Sequence, residues 1–238
     1  MATSKYGFTF NGHHSSEFGL TVLNTKAMTL PSKNKVTVQL PYAQGVIDLS
    51  DIYGNNSYGE RSITFNCKIP VGYNDSNVLY EMWTEVMRWL MEPKTKTVLK
   101  DDTMPEYYYL GEVQTAPTLA ESSVFSTFSI VFQCFPFRFH PNEYNEVWDT
   151  FDLTNGVMQP TEYEIQGSET ITLINVGEAP INLICNASSD FELNIDGVIC
   201  AIEAGMTDNM DVQLQPGVNN IKITGTGTLT FDWTEEVI

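Results

Sequence analysis

The chain has 238 residues, room for one large β domain or two ordinary ones, and its 30 acidic against 12 basic residues give a net charge of −18. So few cations argue against binding nucleic acid through its phosphates and against docking on an anionic membrane. No apolar run approaches membrane-spanning length, and Met1 to Phe10 is too polar for a signal peptide.

The charge is unevenly spread. Residues 1–138 hold eleven Lys and Arg against thirteen Asp and Glu, whereas residues 139–238 hold Lys222 alone against seventeen acids. That step predicts a first domain over 1–138, a polar linker over 139–150 containing Pro141, and a second domain over 151–238. Cys67, Cys134, Cys185 and Cys200 show no metal-site spacing. Cys67 and Cys134 alternate with apolar strand neighbours, the pattern of buried free thiols in a protein made in a reducing compartment.

In chain order, Tyr6, Phe8 and Phe10 alternate into an Asn11-Gly12 hairpin signal. His13 and His14 follow without further metal ligands at a useful spacing and are expected as solvated loop residues. Ser16 to Val22 is expected to return as a strand with Phe18, Leu20 and Val22 on one side. Val36, Val38 and Leu40 alternate with Thr37 and Gln39, and Ile63, Phe65, Cys67 and Ile69 with Ser62, Thr64, Asn66 and Lys68; both patterns predict strands buried on one side. The connection between them, Pro41 to Arg61, exceeds the ~12–15 residues usual for a loop in a compact domain. It carries Val46, Ile47, Leu49, Ile52, Tyr53 and Tyr58, too apolar for disorder, and is expected to pack on something, another subunit included.

Leu79, Met82, Trp83, Val86 and Leu90 recur at helical spacing between Ser76 and Met91, with Asp75 or Ser76 as N-cap and Pro93 as stop. Strands follow at Val98–Leu99 and Tyr107–Gly111, whose three tyrosines suit either a sugar site or an ordinary strand. Val124 to Phe135 closes the domain with Phe128, Ile130 and Phe132 on one face. From Phe151 onward, short strands at Glu162–Ile165, Thr170–Ile174, Ile181–Cys185, Phe191–Ile195, Val198–Ile202, Asp211–Leu214, Asn220–Thr224 and Thr228–Trp233 alternate with turn signals. Those signals are Asn155-Gly156, Gly167, Gly177, Asp196-Gly197, Gly205, Pro216-Gly217 and Gly225 to Gly227. This rhythm predicts a jelly-roll β-sandwich.

No catalytic constellation is present: the three histidines, His13, His14 and His140, lie in expected loops away from any nucleophile motif. There is no phosphate-cradling loop, and no cofactor is expected. Asp190 to Asp196 and Asp208 to Asp211 are the weak candidates for calcium. Tyr163, Phe191, Phe231 and Trp233 are the aromatics available to a sugar site, although Phe231 and Trp233 alternate as buried residues do.

Pro41, Gly45, Asp48, Ser50, Gly54, Tyr58 and Arg61 fall in the pattern of the distal tail (Dit) proteins of siphophages infecting Gram-positive bacteria, and the chain resembles that family. Tyr42 departs from it, standing where a Gly usually follows the Pro. The resemblance extends over Phe10-Asn11-Gly12, Ser15 to Leu20, the 76–91 helix, Asp101 to Gly111 and Phe132 to Phe137, most of residues 1–138. It implies a mainly β protein: an N-terminal β-sandwich with one α-helix and a long hairpin or loop extension, then a C-terminal galectin-like β-sandwich. It implies a homo-hexameric ring joining the tail tube protein to the tail-tip protein around a DNA channel, in a virion assembled in the host cytoplasm. Val46, Ile47, Leu49, Ile52, Tyr53, Tyr58 and Arg61 are the matching candidates for subunit or tail-tube contact. The second domain would dock receptor-binding or baseplate proteins; the alternative is a carbohydrate-binding host-adhesion module.

Overall fold

A computed structural model describes residues 6–42, 44–50, 57–141, 157, 159–208 and 213–238. The chain divides into two compact units, Met1–Arg138 and Phe139–Ile238.

In the first unit, β1 (Phe8–Phe10) turns at Asn11 and Gly12 into β2 (His13–His14). Both turn residues have positive φ, 50° and 80°, which suits the Asn-Gly pair. The two histidines are therefore strand residues rather than loop residues. Ser15–Phe18 is a 3-10 turn, not the expected strand: His14 Nδ1 accepts from Ser16 N, Glu17 accepts from His14 N (3.0 Å), and Gly19 closes the turn with φ 67°. Local capping outweighs the apolar alternation there. The remaining elements are β3 (Thr21–Met28), β4 (Thr37–Gln39), β5 (Val46–Asp48), β6 (Arg61–Ile69), α1 (Ser76–Met91), β7 (Thr97–Asp101), β8 (Tyr108–Glu112), β9 (Ala120–Glu121) and β10 (Ser126–Cys134).

The strands order as β2-β1-β7-β8-β10-β6-β3. β6 and β10 pair over nine consecutive rungs, Ser126↔Ile69 to Cys134↔Arg61, and every second residue of each is buried, as their alternation predicts. Although β1 lies far from β6 in this order, Phe8 stacks on Phe65 (centroids 4.5 Å apart) and meets Phe132 edge-on at 5.5 Å. These contacts fold the sheet over on itself as a sandwich. The corner is the two-rung pairing of β8 with β10, where a Cβ on Gly111 would lie 2.8 Å from Cys134 Sγ. α1 buries Leu79, Val86, Trp89 and Leu90. Trp89, outside the predicted stripe, stacks on Phe18 at 4.3 Å and donates its Nε1–H to Phe10 O at 2.9 Å.

In the second unit the described strands are β11 (Arg138–Pro141), standing where a linker is expected, β12 (Glu162–Asn175), β13 (Ile181–Asn182), β14 (Ile184–Ala187), β15 (Phe191–Ile195), β16 (Val198–Ile202), β17 (Gly205–Thr207), β18 (Gln213–Leu214), β19 (Gly217–Asp232) and β20 (Thr234–Val237). One sheet orders as β16-β15-β19-β14-β17 with β12 also on β19; β13 pairs β18 and β11 pairs β20. Asp196 and Gly197, with φ 50° and 87°, form the predicted hairpin turn. Gly205 opens β17 instead of a turn, and β20 was not foreseen. Asn155-Gly156 and residues 209–212 lie outside the described residues.

The main correction concerns the glycines at 167, 225 and 227, expected as turns. They sit inside one fourteen-rung ladder between β12 and β19, with Gly167 opposite Gly225. There β19 exchanges one neighbour for another: β15 pairs with 221–225 and β14 with 229–232. A Cβ on Gly225 (φ 153°) would lie 2.4 Å from Phe191 Cδ1, and one on Gly227 (φ 144°) 2.4 Å from Ser188 Oγ. Glycine in a strand can thus mark close approach rather than chain reversal. Gly167 (φ 92°) has open space around its Cβ position, so Gly167→Ala is expected to cost only backbone strain, about 1–3 kcal/mol. Gly225→Ala adds overpacking of about 1–3 kcal/mol. Chemical denaturation of the two variants measures the difference.

Candidate functional site

Between Met28 and Arg61 the chain leaves the sandwich and returns as a two-stranded arm. Its base is laddered by Thr29 N to Ser62 O (2.9 Å), Gly59 N to Ser32 O (2.8 Å), the Lys33↔Tyr58 bridge and Asn34 N to Ser57 O (2.8 Å). Further out, Leu49 N donates to Val36 O at 2.7 Å, and Thr37↔Asp48, Val38↔Ile47 and Gln39↔Val46 pair as a separate sheet. Asp48 fastens this outer segment. One carboxylate oxygen accepts from Lys35 Nζ at 2.6 Å and the other from Ser50 N at 2.9 Å, while Ser50 Oγ accepts from Val36 N at 2.8 Å. The Lys35 ammonium and then Ser50 hold the Asp48 carboxyl well below the usual carboxylate range.

Cross-strand partners share a face. In this register Val36, Val38, Leu40, Ile47 and Leu49 fall on one face, and Lys35, Thr37, Gln39, Asp48 and Ser50 on the other with Val46. The apolar face is not buried as the alternation predicts: its five side chains are 37–58% exposed, and β4 and β5 pair only with each other among the described residues. A two-stranded hairpin with an uncovered apolar face is marginal in water and signals a partner. Tyr42 at the tip is fully exposed with φ 65°, a left-handed backbone that glycine would adopt without strain.

The other candidates divide. Tyr58 is half-buried, its ring edge-on to Phe137 at 5.6 Å. Arg61 is buried and offers no contact surface. Its Nε donates to Thr29 O (3.2 Å) and its Nη1 to Pro136 O (3.3 Å), with Cζ 5.4 Å from the Tyr109 ring; desolvation lowers its pKa. Arg61 thus fixes where the arm leaves the sandwich. Ile52 and Tyr53 lie outside the described residues.

A second exposed apolar cluster, unforeseen from the sequence, lies at the opposite end of β6. It comprises Tyr73, Val78, Tyr80, Val124 and Phe125. Tyr73 N donates to Ser122 O (2.9 Å), Tyr80 OH to Glu121 Oε1 (2.9 Å), and Lys68 Nζ lies 4.1 Å from the Phe125 ring centroid. At about 3.3 Å per residue, β6 separates this cluster from the arm's root by roughly 26 Å. Only Val78 and Tyr80 carried a signal, as apolar residues off the core stripe of α1.

The remaining candidates are placed as follows. His13 Nδ1 lies 3.0 Å from Glu17 and His14 Nε2 3.1 Å from Asp102. Asp190 Oδ1 accepts from Ala204 N at 3.0 Å. Among the described residues no three His, Cys, Asp or Glu group as a metal site would, and no helix is long and apolar enough to cross a membrane. Of the sugar-site aromatics, Phe191, Phe231 and Trp233 are buried, and Tyr163 is half-buried with its hydroxyl on Pro160 O at 2.9 Å. Burial pushes the Cys67, Cys134 and Cys185 thiols up to about 12.

No known family profile and no curated protein sequence matches this chain. Among solved structures, the SPP1 Dit protein superposes with a TM-score of 0.66 at 15% identity, covering 98% of this chain and 99% of that one. The chain has the Dit fold. SPP1 Dit is described as a paradigm of the hub adsorption apparatus of phages that infect Gram-positive bacteria.

Two outcomes follow. Near pH 8 the native protein should react with a thiol reagent at Cys200, the half-exposed thiol, while Cys67, Cys134 and Cys185 react only after unfolding; labelling with peptide mapping reads this out. Arg61→Ala, which leaves two carbonyls without their charged donor, should lower stability by about 2–3 kcal/mol in thermal unfolding.

Proposed function

We propose that this chain is a structural distal tail protein of a siphophage. Six copies form the hub ring that joins the tail tube to the tail tip and leaves a channel for DNA. One observation carries the reading: an extended hairpin displays a face of five apolar side chains that nothing among the described residues covers. The likeness to SPP1 Dit across the whole chain supplies the context for that face.

A closed ring needs two unlike surfaces on each subunit, because every copy meets its neighbours head to tail. The arm's apolar face and the Tyr73–Phe125 cluster at the other end of β6 are two such surfaces. The near-neutral charge of residues 1–138 suits a lumen through which DNA slides without being held. The second unit, in this reading galectin-like, docks receptor-binding or baseplate proteins. Sugar binding by that unit has less support, since three of its four candidate aromatics are inside the fold. The protein acts at the tail tip of the virion.

Negative-stain images and native mass spectrometry of the purified chain test the assembly. Six-membered rings with an open centre are expected, and a strict monomer at high concentration, alone and with the tail tube protein, overturns the reading. The double variant Val38→Asp/Ile47→Asp, on the apolar face, should remain folded and become monomeric, whereas Gln39→Lys on the polar face, opposite Val46, should leave rings intact.

A further inference from the structure

Three strands of the second unit's sheet have a single partner among the described residues, β12, β16 and β17, and β12 carries Glu162, Glu164 and Glu169 along its length, charges that blunt an edge. β17 is three residues long and begins with glycine, a short edge of the kind natural sheets use to discourage pairing. β16 is different. Val198-Ile199-Cys200-Ala201-Ile202 has no charge, proline or glycine. It pairs with β15 over five regular rungs, Ile195↔Val198 to Phe191↔Ile202, and with no other strand among the described residues. Val198 and Ile199 are 52% and 61% exposed. An apolar, uncharged edge with a regular register is a template for one more strand.

The charge around this edge selects what can add to it. Asp196 lies in the turn before β16, Glu203 follows it, and Glu192 stands opposite Ala201 on β15. Lys222, the single Lys or Arg among residues 139–238, is opposite Asn194 on β19, two strands in from the edge. A second copy of β16 would bring the same three carboxylates against these, and like charges across a sheet repel. A strand bearing Lys or Arg would instead meet them, and Ala201 is too short to screen Glu192 from a long side chain of a strand about 4.8 Å beyond β16.

We propose that β16 is a docking edge for an extended segment of a different polypeptide, alternating apolar residues with Lys or Arg, that adds to the sheet as its next strand. Main-chain hydrogen bonds along the edge supply affinity and the acidic rim supplies selectivity. This names the chemistry of the second unit's partner; it rests on the reading above only for the source of that segment.

The test uses the full chain and three seven-residue peptides: one alternating Val with Lys, one alternating Val with Glu, and one of the basic charge with Pro replacing alternate Val. Binding is read by fluorescence anisotropy and by hydrogen exchange of the amides of residues 198–202. The Val/Lys peptide is expected to bind, to slow exchange at the outward amides of β16, and to lose affinity as salt rises. The Val/Glu and Pro peptides should fail, and Ile199→Lys and Ala201→Lys, each with an unchanged thermal midpoint, should abolish binding. Equal binding of the Pro peptide, or none by the Val/Lys peptide, overturns the proposal. So does self-association that Ile199→Lys abolishes, which would assign the edge to a second copy. Rings that bind no peptide refute this proposal alone, and peptide binding without rings refutes only the ring.

Discussion

The nine-rung ladder between β6 and β10 is the constraint from which the first unit follows. Its inward row, with Phe65 and Phe132 near the centre, supplies the rings on which Phe8 of a remote strand closes the sandwich. Its ends place everything else. At one end Arg61 ties the arm's root to Thr29 and Pro136; at the other, β6 runs into the turn that starts α1 and supports the aromatic cluster. Slipping this ladder by one residue would turn its buried rings, Phe65, Phe128 and Phe132, to the outer face, so its register fixes where both exposed surfaces begin.

What the sequence made legible was set by how local the cause was. Alternation over Ile63–Ile69 and Phe128–Phe132, the helical spacing over 76–91 and the Asp196-Gly197 turn are written in adjacent residues, and the fold contains them at those places. Trp89 escaped the helical stripe because its burial depends on Phe18 and Phe10, distant in the chain. Gly225 and Gly227 of β19 misled for the same reason: the crowding that requires them comes from Phe191 and Ser188. At the candidate site, alternation correctly marked Val36, Val38 and Leu40 as one face, but periodicity cannot say whether a face is covered within the same chain. Arg61 matched a family pattern, and only its burial distinguishes an anchor from a contact.

The two units differ in how they would meet partners. The first displays apolar surface in a nearly neutral setting, suited to permanent contacts sealed from water. The second surrounds a narrow apolar edge with carboxylates, so that the association proposed there would depend on ionic strength and on the sign of the visitor's charge.

β19 belongs to every part of its sheet at once, bonded along its length to β12 and in turn to β15 and β14. Because one continuous strand passes the glycine crossing without a loop, no half of that sheet can melt while the other stays intact. The second unit should therefore behave as a single cooperative block, with little of the local breathing that a pair of short hairpins would allow.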